Sequence, residues 1–509
     1  LFFVLSNPPD SLDPSYTNNS FAAPFIINCF EGLVTYDAKG ELVPGNAESW
    51  ESNEDMTVYT FRLRDGLKWS DGSPLTAEDY VYAAKHVCTP ATTAQYLNMM
   101  TDYIEGAEAY YERKGSDESF GVKAIDDRTL EYRLKAPCPF FPDIVSMWVY
   151  SPLKKETLEA NGDKWTQTAA TYVCNGPFKI SEINSGASVV LTKNENYWDK
   201  EHITFDKIVW HLISDANTAY TAYKQDEIDM IKDVPTEEIA GLRDNPEFRV
   251  EPIRGTYYVN FNIAKKPFDD AKVREAMTLA IDRDYVANTI MQGVYSPSKN
   301  FVGPGVTDAA KNSSFEKVTE EKYGDFFDNS KYQENLEKAK QLLSEAGYPN
   351  GQGFPSFSYL VNDNGYNKAV AEYLQSAWKE LGLNMTIDVQ EWKTMTVNRR
   401  AGNYDTARNS WVYDWDDPAN LIDLLETNNG NNDGKYSSAE FDALVEKARI
   451  STNREERFDL LHQAEQHMLK DYAVAPIASQ NDFWMQKESL KNTWHSPSGY
   501  WYFMYGSKG

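Results

Sequence analysis

The sequence predicts an α/β protein in which sheets are covered by helices, and three observations carry that prediction. Strand-like runs with period-two alternation, among them TVYTFRLR and RGTYYVNFN, alternate along the chain with helical stretches such as NLEKAKQLLSEAG and NKAVAEYLQSAWKELG. Gly347 and Gly382 stand where helix C-terminal caps belong. The 509 residues, 41% of them hydrophobic and 14% aromatic, exceed what one ordinary core holds and suggest roughly two to four domains. No fixed-period repeat or low-complexity tract interrupts the pattern.

The elements follow in order. FFVLS is a strand that runs into the turn NPPDSLDP, and the apolar stretch FAAPFIINCFEGLV leads to the turns YDAKG and LVPGNAESW. Pro44-Gly45 is turn chemistry and a candidate boundary. After the strand TVYTFRLR, Thr76 with Glu78 and Asp79 gives the helix TAEDYVYAAKHV a polar cap and an acidic first turn. A strand pair joined at Asp126-Asp127 follows in GVKAIDDRTLEYRL. Beyond PCPFFPDI the chain turns helical, then returns to strands at GPFKISEI and SVVLTKNENYW, with the helix ANTAYTAYKQDEID after them. RGTYYVNFN, residues 254–262, opens a second α/β stretch. There DDAKVREAMTLAIDRDYVANTIM predicts one amphipathic helix, apolar at Val273, Met277, Ala280 and Ile281. FSYLV and NMTIDVQEW predict the strands that alternate with the later helices.

Charge narrows the function. Fifty basic against 77 acidic side chains leave a net charge of −27, which lacks the basic footprint of a nucleic-acid binder or a membrane-surface protein. No apolar run is long enough to cross a bilayer. The chain opens on LFFVLSNPPDSLDP, so any targeting peptide is expected to be missing from it. Cys29, Cys88, Cys138 and Cys174 show no CxxC spacing, which makes a metal cluster or redox dithiol unexpected; one or two disulfides or buried free thiols both fit. His462 and His467 are five apart, off the spacing that puts two ligands on one helical face, and are expected on the helix surface.

The chemistry-bearing stretch is ARNSWVYDWDDPANL, residues 407–421. A strand over Ala407 to Tyr413 sends Arg408, Ser410 and Val412 to one face and Asn409, Trp411 and Tyr413 to the other, with Asp414 at its exit. A carboxylate there, walled by aromatic surface, suits the cationic end of a ligand. Asp416 and Asp417 are expected as turn and capping residues before a helix opened by Pro418. Such acids admit two other readings. Asp414 and Asp417 could form a glycosidase pair between Trp rings, although acids three apart in a turn need not face one another. Asn429, Asn431, Asp433, Gly434 and Glu440 loosely match a calcium loop, but the first position lacks its carboxylate and Ser437 with Glu440 makes a capping box instead. No GxSxG, Walker, GxGxxG or HExxH motif occurs, and no cofactor or metal is expected.

Several blocks in order resemble the oligopeptide-binding branch of the extracellular solute-binding proteins that serve peptide ABC importers. They are SLDP, CFEGLVTYDAKGELVPGNAESWE, YTFRLRDGLKWSDGSPLTAEDYVYA, GVKAIDDRTLEYRL, NGPFKI with ENYWD, TYYVNFN with PFDDAKVREAMTLAIDRD, AKQLLSEAGYP, and QEWKTMTVNRRAGNYDTARNSWVYDWDDP. The resemblance implies a periplasmic-binding-protein-like fold: two lobes that close on a cleft, plus an inserted third domain. Lobe one would comprise 1–44, 174–254 and 486–509, the insert 45–173 and lobe two 255–485, with the two crossovers as hinge.

The resemblance also implies the site. Asp414 falls on the acid that holds a peptide's α-ammonium, and Trp411 and Val412, with Leu33 opposite, fall where main-chain groups pair with the peptide as an added strand. Trp392 and Trp411 match walls of side-chain pockets, Tyr96 and Glu31 match further cleft residues, and Arg399 and Arg408 match cations near the peptide's carboxylate. Asn260 and Asn367 stand where close relatives carry an acid and a histidine, Lys311 is a remaining distal cation, and Val412 replaces a cysteine. The function so implied is non-enzymatic: an exported monomer, a periplasmic protein or cell-surface lipoprotein, that captures oligopeptides and presents them to a membrane permease. A murein fragment, metal chelate or signalling peptide on the same fold is the alternative cargo.

Overall fold

The computed structural model describes residues 1–509 except 6–8, 10, 38–40, 311–312 and 364. Lys311 and part of the predicted turn YDAKG therefore lie outside the described residues. The chain forms two compact units: residues 1–249 with 483–509, and residues 250–482. No helix among the described residues is long and apolar enough to cross a membrane.

In the first unit, β1 (Phe2–Leu5) precedes α1 (Ala23–Cys29). A four-stranded antiparallel sheet then forms from β2 (Ala47–Ser52), β3 (Val58–Leu63), β4 (Val122–Asp126) and β5 (Thr129–Arg133), in the order β2-β3-β5-β4. The helix α2 (Ala77–Val87) starts where the sequence predicts, with Thr76 and Asp79 closing a capping box. A further set of paired strands in this unit comprises β6 (Phe178–Asn184), β7 (Ser188–Lys193), β8 (Lys207–Leu212) and β9 (Met230–Ile231) around β1, which runs parallel to β8 and β9. The face of β1 and β8 is apolar because Phe3 and Trp210 meet edge-on at 4.5 Å, with Phe25 and Phe503 closing around the indole.

The loop after α1 is fixed by a buried acid. Glu31 accepts hydrogen bonds from the Tyr197 hydroxyl at 2.5 Å and the Trp198 indole at 2.7 Å, and its main-chain carbonyl accepts from Asn46 and Asn175. Burial pushes its carboxyl up to about 7, against the downward pull of those two donors and of Arg64. All four cysteines are buried, and no disulfide joins them.

The strand β10 (Phe248–Phe261) carries the chain into the second unit, and β14 (Val474–Gln486) carries it back. Between them lie α3 (Ala271–Leu279), α4 (Tyr332–Glu345), β11 (Phe357–Asn362), α5 (Gly365–Lys379), β12 (Met385–Gln390), α6 (Trp392–Arg400), β13 (Thr406–Val412), α7 (Ala419–Ile422), α8 (Ala439–Ile450) and α9 (Arg454–Lys470). The sheet order is β12-β11-β13-β10-β14. β11 is parallel to both of its neighbours, whereas β10 and β13 are antiparallel. Tyr258, Phe301 and Tyr413 pack with Phe441, Val445, Phe458, Leu461 and Met468 of α8 and α9 to form the core on one face. Gly347 and Gly382 take positive φ, 93° and 79°, at the ends of α4 and α5.

Four local expectations are corrected. The helix predicted across residues 269–291 stops at Leu279, because Asp282 breaks it and caps a new turn by accepting from Tyr285 N. The strand predicted through Trp392 ends at Gln390, where Glu391 caps α6 through the N–H groups of Lys393 and Thr394. The cap of α8 is Ser438, one residue past the predicted Ser437. His462 is fully buried rather than on the helix surface. Its ring bonds Thr319 Oγ1 at 2.8 Å and Asp308 at 2.9 Å, and it stacks on Phe315 at 3.9 Å.

Asp417 caps as expected, and both Asp416 and Asp417 are in addition partners in ion pairs that the sequence did not reveal. Asp417 makes a two-pronged pair with Arg457, at 2.6 and 2.9 Å, while also capping α7 through Ala419 N. Asp416 pairs with Arg254 at 3.0 Å. The Arg partners arrive from β10 and α9, far away in sequence, where local patterning does not reach.

Arg457→Met strands the Asp417 carboxylate in the core and is expected to lower stability by about 3–5 kcal/mol, read from the urea unfolding midpoint. Adding Asp417→Asn should recover part of the loss. A second expectation concerns pH. Glu31 has a folded-state value raised from 4.5 to about 7, so its stabilising contribution is complete below the unfolded value and is lost as pH rises through 7. Wild-type protein should lose up to about 3 kcal/mol relative to Glu31→Gln between pH 5 and 8, and thermal unfolding of the two proteins across that range checks it.

Candidate functional site

The register of β10 against β13 decides which main-chain groups of β13 are available. The pairs run from Gly255 with Val412 to Phe261 with Thr406. Tyr413 N donates to Arg254 O at 2.8 Å, and Asn262 N donates to Asp405 O at 3.0 Å. Both contacts belong to the hydrogen-bonded set of an antiparallel ladder, which recurs every second residue. Asn409 and Trp411 therefore direct their main-chain groups to β10, whereas Arg408, Ser410 and Val412 direct theirs to the other side.

On that other side β11 pairs only with Thr406 and Ala407. Past Ala407 no strand among the described residues pairs with β13 there. The Arg408 carbonyl accepts from Arg399 at 3.2 Å, and Ser410 N donates to its neighbour's side chain, Asn409 Oδ1, at 2.9 Å. The carbonyl of Ser410 and both main-chain groups of Val412 lie along the remaining edge, which ends at Asp414. Sequence reasoning missed Ser410; a period-two count outward from Val412 would have found it.

The side chains follow the same alternation. Trp411 packs against the α8/α9 core, and its indole donates to Asn420 Oδ1 at 2.8 Å. The same oxygen accepts from Asp414 N at 3.3 Å, so Asn420 ties the indole to the strand exit. On the opposite face the Arg408 guanidinium lies 5.1 Å from the ring centre of Tyr257 and 5.6 Å from that of Trp392. Its Nε is buried without a hydrogen-bond partner among the described residues. Burial raises the Tyr257 phenol, and the Arg408 charge opposes the rise. Trp392, the first residue of α6, is 47% exposed.

The other predicted residues have definite surroundings. Arg399 is buried and paired with Asp433 at 2.7 Å, which engages the guanidinium and one acid of the loose calcium pattern together. Among the described residues no group of three His, Cys, Asp or Glu could hold a metal. Asn260 is buried on β10 with Nδ2 unpartnered, and Asn367 on α5 donates to Asn362 Oδ1 at 2.9 Å. In the first unit, Leu33 is buried and its carbonyl accepts from Gly45 and Ala47. Tyr96 meets Trp148 edge-on at 5.6 Å. Glu31 borders a small recess of about 30 Å³ that Phe30, Trp148 and Tyr502 also line.

Comparison with known proteins places this geometry. Residues 41–433 match the bacterial extracellular solute-binding proteins, family 5 Middle. The chain is similar to the oligopeptide-binding protein OppA of Bacillus subtilis, 34% identical over 98% of this chain and 91% of that protein. Among solved structures it is similar to Haemophilus influenzae OppA in complex with RPPGFSPFR, with a TM-score of 0.85, 28% identity and coverage of 100% of this chain and 98% of that one. The Escherichia coli murein tripeptide binding protein MppA gives a TM-score of 0.87 at 28% identity, with the same coverage. With this match across most of its length, the chain belongs to the family 5 bacterial extracellular solute-binding proteins.

Proposed function

We propose that this protein is an extracytoplasmic receptor for oligopeptides that delivers them to the permease of an ABC importer, and that it is not an enzyme. The observation that carries the proposal is the open edge of β13 ending at an acid. A peptide lying along Ser410 and Val412 would add as a strand, pairing through main-chain groups that every peptide has. Its α-ammonium would meet Asp414 through charge-assisted hydrogen bonds. Such pairing ignores side-chain identity, which agrees with the names of the relatives: an oligopeptide-binding protein, and a structure in complex with RPPGFSPFR.

The remaining roles follow the chemistry of each group. Arg408, held between aromatic rings with Nε unpartnered, is the cation that suits the peptide's carboxylate end. Arg399, engaged by Asp433, supports β13 through the Arg408 carbonyl. Trp392 offers apolar wall to peptide side chains, and Asn260 and Asn367 tune the distal end without adding charge. Residues 45–173 form an inserted domain of the first unit.

Isothermal titration with trialanine and N-acetyl-trialanine tests the amine anchor. Wild-type protein should bind the free amine more tightly, and Asp414→Ala should cost that ligand about 2–5 kcal/mol while barely affecting the acetylated one. Equal affinity of wild-type protein for both peptides would exclude Asp414 as the anchor. Mass spectrometry of material released on denaturing freshly purified protein should detect short peptides, and a murein fragment or metal chelate in their place would redirect the cargo assignment.

A further inference from the structure

The amine anchor sits on a short span whose two ends are held by one residue. Tyr413, immediately before Asp414, donates its main-chain N–H to the Arg254 carbonyl at 2.8 Å. Asp416, two residues after it, pairs with the Arg254 guanidinium at 3.0 Å. Arg254 lies on β10, the strand that carries the chain between units, and its Nε is itself fixed by the Gly305 carbonyl at 2.7 Å. Both Asp416 oxygens have further donors, Thr307 N at 2.9 Å and Thr307 Oγ1 at 2.6 Å. Arg254 and Asp416 are mostly buried, their side chains 8% and 17% exposed.

A buried ion pair of this kind is weak evidence for stability, because desolvation offsets much of the attraction. Its geometric consequence is clearer. With Tyr413 and Asp416 both gripped by Arg254, the main chain between them has little freedom, and the Asp414 carboxylate keeps a fixed origin. Asp416 is neutralised and its acceptor sites are occupied, so it does not compete for a ligand cation. We propose that Arg254 is a positioning residue acting through Asp416 and Thr307 to aim Asp414, so that selectivity for a free amine depends on a residue of the crossover strand. The inference rests on the role given to Asp414 above. An anchor displaced by about 1 Å loses much of its charge-assisted bonding, which makes discrimination, rather than binding in general, the sensitive quantity.

The experiment measures the ratio of trialanine to N-acetyl-trialanine affinity in wild-type protein, Asp414→Asn, Asp416→Asn, Thr307→Val, Arg254→Lys and the double variant Asp414→Asn/Thr307→Val. Thr307→Val preserves every charge while removing one hydrogen bond to Asp416, so it separates aim from long-range attraction. Free-amine preference should fall about threefold in Thr307→Val and tenfold or more in Asp416→Asn, with N-acetyl-trialanine affinity unchanged. Arg254→Lys should retain an intermediate preference, and Thr307→Val should add nothing once Asp414 is Asn. If Asp414→Asn abolishes the preference while the Thr307, Asp416 and Arg254 variants keep it, the positioning role is overturned and the anchor stands. If Asp414→Asn keeps the preference, the anchor itself fails. Equal weakening of both peptides would mark a purely structural role and also overturn the inference. Should Asp416→Asn fail to fold, Thr307→Val and Arg254→Lys decide the question.

Discussion

The antiparallel ladder between β10 and β13 governs the rest of the second unit's site. Because hydrogen bonding to β10 falls on Asn409, Trp411 and Tyr413, the intervening residues face away with their main-chain groups. Slipping that register by one residue would reverse every assignment, carrying Trp411 out of the core and Arg408 into it. The packing of Tyr258 and Tyr413 on one face, and of Arg408 over Tyr257 on the other, makes such a slip costly. The edge proposed to pair with peptide is therefore a by-product of how the core packs.

Charge is handled differently at different depths. The overall charge of −27 lies mainly on the surface, where it promotes solubility. Inside the second unit the acids come with partners: Asp416 with Arg254, Asp417 with Arg457, Asp433 with Arg399. Each pair ties a loop following a strand or helix to an element distant in sequence. Arg408 is the exception among these arginines, its company being two aromatic rings, and that difference underlies the ligand role proposed for it. Glu31 in the first unit is held by neutral donors, which is why burial, and not a cation, dominates its titration.

Much of this was legible in the sequence. Period-two alternation found β3 and β13 to within a residue and the C-terminal part of β10, whose start lies six residues earlier than predicted, and Asp414 falls at the exit of its strand as expected. Thr76 and the glycines at 347 and 382 cap helices as their chemistry dictates. What escaped depends on partners that local patterning does not reveal. The burial of His462 comes from Asp308 and Thr319, each more than 140 residues away, and the ion pairs of Asp416 and Asp417 come from β10 and α9. The break at Asp282 was visible as a capping residue but lay inside a convincing apolar period, and the cap prevailed. Ser410 was within reach of a period-two count from Val412, whereas the turning of Trp411's main-chain groups toward β10, away from the expected peptide edge, is set by the partner strand's register.

Strand addition to β13 is the central claim, and its most direct measurement is an N-methyl scan of the bound peptide. Replacing each peptide N–H in turn by N–CH3 in a short alanine peptide removes one main-chain donor at a time while leaving the side chains alone. Strand addition requires an alternating pattern: marked loss of affinity at the position whose N–H faces the Ser410 or Val412 carbonyl, and little at its neighbours. Uniform tolerance of N-methylation along the peptide would contradict it.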